Sequence, residues 1–89
     1  MEDVSGMKFY ELTELSTSIL NDIVSAYTRL EFKEEREHIP NRDLIREYDV
    51  KRSEVFRELC KSDNFKSIDS MNSIIETYLP LHKQLHNHE

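Results

Sequence analysis

Glycine is almost missing from this chain: one residue of 89, Gly6, accompanied by only two prolines, Pro40 and Pro80. Tight hairpin turns and bulges need residues that tolerate positive φ, so this scarcity argues against a β-rich fold. Tryptophan is absent and cysteine occurs once, as Cys60, which excludes an intramolecular disulfide. No CxxC or other metal-ligand spacing surrounds that thiol, and the usage fits a reducing, cytoplasmic location. No window approaches eighteen uncharged apolar residues, so no membrane contact is expected, and the N-terminus carries acids where a signal peptide would carry an apolar run.

An excess of positive charge is lacking as well. The net charge is -6, and it is unevenly placed: residues 1–37 hold nine acids and four bases, residues 38–61 five and six, residues 62–89 four and two. A surface that neutralises phosphates needs clustered Lys and Arg, which only the middle segment approaches, and there every base has an acid within one turn. Direct nucleic-acid binding is therefore not the leading expectation.

What the chain does contain is apolar spacing of three and four residues between its prolines, the period of amphipathic helices. Leu, Ile, Val and Phe make up 24 of the 89 residues, enough for a folded core, while charged residues are 34 % of the chain, so the helices should be slim with broad solvated faces. Phe9, Leu12, Ile19, Ile23, Ala26 and Leu30 form one stripe, widened by Leu20 and Tyr27 and interrupted only by Ser16. It predicts a helix over 8–37, the last part of which, Glu31 to His38, projects past its packed portion. Ile39, before Pro40, is pushed out of the helical region. Asn41 is suited to cap a second helix over 42–61, with Asp43 in its first turn, a Glu47–Lys51 pair on its solvated side, and Leu44, Ile45, Tyr48, Val55, Phe56 and Leu59 on one face. Ser62, Asp63 and Asn64 read as a turn. A third helix over 67–86 carries Ile68, Met71, Ile74, Ile75, Tyr78 and Leu79 on one face, with Pro80 on the opposite side as a point of bending.

These readings predict an all-α fold, a three-helix bundle or a helical hairpin plus a third helix, whose core is completed by dimerisation. Residues 1–6 read as a flexible polar tail before a single domain over 7–89, and Met7 is an alternative to Met1 as the start.

Few residues suggest chemistry. His82 and His86 stand four apart on one helical face, but a metal site needs three or four ligands and the spacing supplies two, so no metal is expected; His82 falls within the apolar arc, where its ring packs. Arg52 lies between Tyr48, Val55 and Leu59, where a buried guanidinium needs a carboxylate or several carbonyls as partner, unless its stem covers the core and its head reaches solvent. The four tyrosines lie on or beside apolar faces, and Cys60 reads as a small half-buried hydrophobe. Glu31, Glu34, Glu35 and Glu37 read as a solvated helix end. No nucleophile elbow, Gly-rich phosphate loop or paired carboxylates occur, so neither catalytic residues nor a cofactor is expected and the chain does not read as an enzyme.

The function these features favour is that of a small helical interaction or regulatory protein, self-associating as a dimer and able to take a different protein as partner. Phe32, Val50, Phe65 and Leu81, off the main arcs, are its surplus apolar surface. The candidate interface residues are Phe32, Ile45, Tyr48, Arg52, Phe56, Leu81 and His82. The alternative is a nucleic-acid-related regulator. It would be either a helix-turn-helix reader using Arg42, Arg46, Lys51 and Arg57, or an acidic mimic of DNA using the first third.

Overall fold

A computed structural model of the chain describes residues 8–87. Among them are three α-helices, α1 (Phe9–Glu35), α2 (Arg42–Cys60) and α3 (Ile68–Asn87), a short 3-10 turn over Ser62–Phe65, and no strand. The chain is all-helical, as the glycine-poor composition predicts. The expected tail and Met7 lie outside the described residues.

The local signals that start and stop each helix are identifiable. Glu11 Oε1 accepts the Lys8 backbone N–H at 2.8 Å, satisfying one of the amides that a helix start leaves without an internal partner. At the other end of α1 the last turn tightens. The Arg36 N–H reaches both Phe32 O and Lys33 O, and the Glu37 N–H reaches Glu34 O, so the helix closes at Glu35, two residues short of the expected boundary. Asn41 caps α2 through Oδ1, which accepts the Leu44 N–H at 3.1 Å. Ser67 Oγ does the same for the Ser70 N–H at the start of α3.

α3 runs unbroken through Pro80. Pro80 is exposed, and so is Glu76, whose carbonyl loses its usual i+4 donor at a position where solvent can supply one.

α1 is the central element. It packs against both other helices along its length, whereas α2 and α3 scarcely meet. α2 runs antiparallel to α1: its start is tied to the end of α1 through Asn41 and Glu34, and its far half, with Phe56 and Cys60, lies beside Val24 and Thr28. α3 runs parallel to it, with Thr13 beside Met71 and Asp22 beside His82. The core consists of Leu12, Ile19, Leu20, Ile23, Ala26 and Tyr27 from α1, Met71, Ile74, Ile75 and Leu85 from α3, and Val55 as the sole buried residue of α2. Ser16, the polar gap in the α1 stripe, is fully buried and donates its hydroxyl to Leu12 O at 2.7 Å, so it needs no partner from another helix.

Several residues placed on apolar faces by periodicity are not covered. Phe9 and Ile68 are exposed, each standing at the first position of its helix. Phe56 is 56 % exposed because α2 packs closely only on α1: Val55 is buried and Leu44, Tyr48 and Leu59 are half-buried, while the flank that bears Phe56 stays open. Tyr10 and Cys60 are also exposed, contrary to the half-buried places expected for them. Conversely, Phe65 and Leu81, expected as surplus surface, pack partly buried against the core.

Candidate functional site

Two arrangements of side chains stand out, one on each side of α1. On the α2 side, Arg52 does find the carboxylate its position demands. Its Nη1 donates to Glu31 Oε1 at 2.8 Å across the helix pair, and its Nη2 to Asp49 Oδ1 one turn earlier on α2. The Arg52 and Glu31 side chains are 29 % and 18 % exposed, so the pair is partly desolvated and links the helices more firmly than a surface ion pair would. Below it the Tyr27 and Tyr48 rings meet in a tilted contact, centroids 6.1 Å apart, and burial pushes the Tyr27 hydroxyl above its ordinary pKa. The Asn41 backbone N–H donates to Glu34 Oε2 at 2.9 Å, tying the start of α2 back to the end of α1.

Beside this seam runs an open groove of about 660 Å³ lined by Val24 and Thr28 of α1 and Arg52, Ser53, Phe56, Arg57 and Cys60 of α2. No residue of α3 lines it. Phe56 is its large apolar wall. Arg42, Arg46 and Arg57 are exposed along α2 and make no ion pair among the described residues, whereas Lys51 pairs with Glu47 at 3.2 Å, which raises the lysine's pKa. Glu35 at the end of α1 is likewise exposed and makes no ion pair among the described residues. It lies seven and eleven residues beyond Thr28 and Val24, hence on the same side of α1.

The seven candidate interface residues do not form one surface. Arg52 and Phe56 share the groove. Ile45 is half-buried, and Tyr48 turns inward to Tyr27. Phe32 is exposed one turn beyond Thr28 on α1, in a separate recess with Arg29, Lys33 and Arg36. Leu81 lines a separate recess with Tyr27, Lys51, Glu54, Val55 and Tyr78 where the three helices face one another, and burial raises the Tyr78 hydroxyl there.

His82 belongs to the second arrangement, on the α3 side. Its Nε2 hydrogen-bonds Asp22 Oδ2 at 2.9 Å, and its ring stands 4.3 Å from that of His86. Sequence reasoning places the two histidines together and packs His82 against apolar neighbours; it misses Asp22, sixty residues away. Only the parallel register of α1 and α3 brings that carboxylate to them, and no spacing within one helix announces it. Among the described residues no helix is long and apolar enough to cross a membrane.

Comparison with protein-family models, with curated proteins and with solved structures finds no match to this chain.

Proposed function

We propose that the chain is a non-catalytic helical interaction protein of the cytoplasm that pairs with a second copy of itself through the α1/α2 groove. The observation that carries this reading is the under-covered state of α2, a nineteen-residue helix with one buried residue and Phe56 open beside the groove. Its shape agrees: the radius of gyration is 14.8 Å, against about 12 Å for a compact domain of this length. Charge favours a second copy over other occupants. Arg57 lines the groove, Arg42 and Arg46 lie further along α2, and Glu35 lies further along the groove side of α1, so the face that holds the groove carries both signs. A two-fold axis can therefore set the arginines of one copy against the glutamate of the other. In this reading regulation works through the paired surface, and a different protein would bind by competing for it.

Sedimentation equilibrium tests the proposal. The wild-type chain should sediment as a dimer at micromolar concentration, and Phe56→Asp, at an exposed position that leaves the core intact, should sediment as a monomer with unchanged helix content. A wild-type monomer at 100-fold higher concentration contradicts the reading. Tight, salt-sensitive binding of random duplex DNA, lost on replacing Arg42, Arg46 and Arg57, would favour the nucleic-acid alternative.

A further inference from the structure

The geometry points to a divalent transition-metal site formed by Asp22, His82 and His86, which clips α1 to α3. One ligand atom from each of the three side chains lies within 4.8 Å of the other two. His82 and His86 are one helical turn apart, so their rings project from the same face of α3. α1 supplies Asp22 from a neighbouring, parallel helix, and the 2.9 Å hydrogen bond to His82 aims Oδ2 of this exposed carboxylate at the imidazole. Two atoms bound to one ion at about 2.1 Å stand about 3.0 Å apart at a right angle and about 3.4 Å apart in a tetrahedron. The Nε2–Oδ2 separation of 2.9 Å is therefore already close to what a shared ion requires. His86 is exposed, so an ion at this position can be reached from solvent.

The donor set selects the class of ion. Two imidazoles with one carboxylate suit Zn²⁺, Co²⁺, Ni²⁺ or Cu²⁺, whereas Ca²⁺ and Mg²⁺ prefer cages of oxygen. Three protein ligands leave a fourth position for water or for a ligand atom from outside the chain. The competing account is purely structural: an Asp–His hydrogen bond between helices with a second histidine nearby by chance. The two accounts differ over His86, which the hydrogen bond does not use.

Zinc chloride is the probe, titrated into chelator-treated full-length protein by calorimetry and followed by thermal melting. The wild type should bind one ion per chain and melt at a higher temperature with zinc but not with magnesium. His86→Ala should lose at least ten-fold in zinc affinity and most of the rise in melting temperature that zinc gives the wild type. Asp22→Asn, which keeps a hydrogen-bonding group in place, should lose as much. A double variant His38→Ala, Cys60→Ser removes two of the three other imidazole and thiol side chains, His88 being the third, and should bind like the wild type. No binding, undiminished affinity in both His86→Ala and Asp22→Asn, or loss in the His38/Cys60 variant alone would overturn the site. The cluster is on the seam opposite the groove, so these results leave the association proposal to its own test.

Discussion

α2 and α3 are nearly equal in length, nineteen and twenty residues, and both pack on α1, yet they are held in different ways. α3 contributes Met71, Ile74, Ile75 and Leu85 to the core, each removed from water almost completely. At about 1.5–3 kcal/mol for each fully buried aliphatic side chain, that attachment is dominated by the hydrophobic effect. α2 contributes Val55 and several half-covered side chains, and supplements them with the Arg52–Glu31 ion pair, the Tyr27–Tyr48 contact and the Asn41–Glu34 hydrogen bond. Net contributions of the hydrogen bond and of the ring contact are about 1 kcal/mol each and depend on geometry, and that of the ion pair depends on salt as well. A helix attached by half-covered side chains and directional links keeps its place while leaving apolar surface free. A helix held by a dry core has little surface to spare.

Substitutions in the two seams should separate these modes of attachment. The largest effect is expected for Ile75→Ala. Ile75 is fully enclosed, so loss of three carbons leaves a cavity and costs about 2–5 kcal/mol, read from the urea midpoint. Val55→Ala, the corresponding change on α2, should cost about 1.5 kcal/mol from the two carbons removed. Equal costs at the two positions would remove the contrast. A smaller effect is expected at the ion pair: a double-mutant cycle of Arg52→Ala and Glu31→Ala should give a coupling of about 1 kcal/mol that shrinks in 1 M salt, whereas Ile75→Ala should be insensitive to salt. A coupling near zero would mean that Arg52 acts only through the packing of its stem.

Helical class, caps and turns were legible in the sequence because they depend on neighbours within a few residues. Asn41 and Ser67 bond the amides of their own first turns, and the Glu47–Lys51 pair closes within one turn. The need of Arg52 for a carboxylate was also legible, since its place between Tyr48, Val55 and Leu59 demanded compensation for the charge. Which carboxylates would supply it was not: Asp49 is local, but Glu31 depends on the antiparallel register of α1 and α2. Phe56 and Leu81 exchange their expected roles for the same kind of reason. A helical wheel reports which side of a helix is apolar, but not how many neighbours arrive to cover it. Phe56 stays on the open flank of α2, while Val55 and Leu81 line one recess shared by all three helices. Asp22 was invisible as a companion of His82 because nothing in either helix fixes the parallel offset that joins them.

Native-state hydrogen exchange, followed helix by helix as the protein is diluted, tests most directly whether α2 is the loosely attached element whose open face a second copy covers. In dilute solution the α2 amides should exchange well before those of α1 and α3, and their protection should climb with protein concentration while that of α1 and α3 changes little. Protection of α2 equal to that of α3 at every concentration would contradict the account.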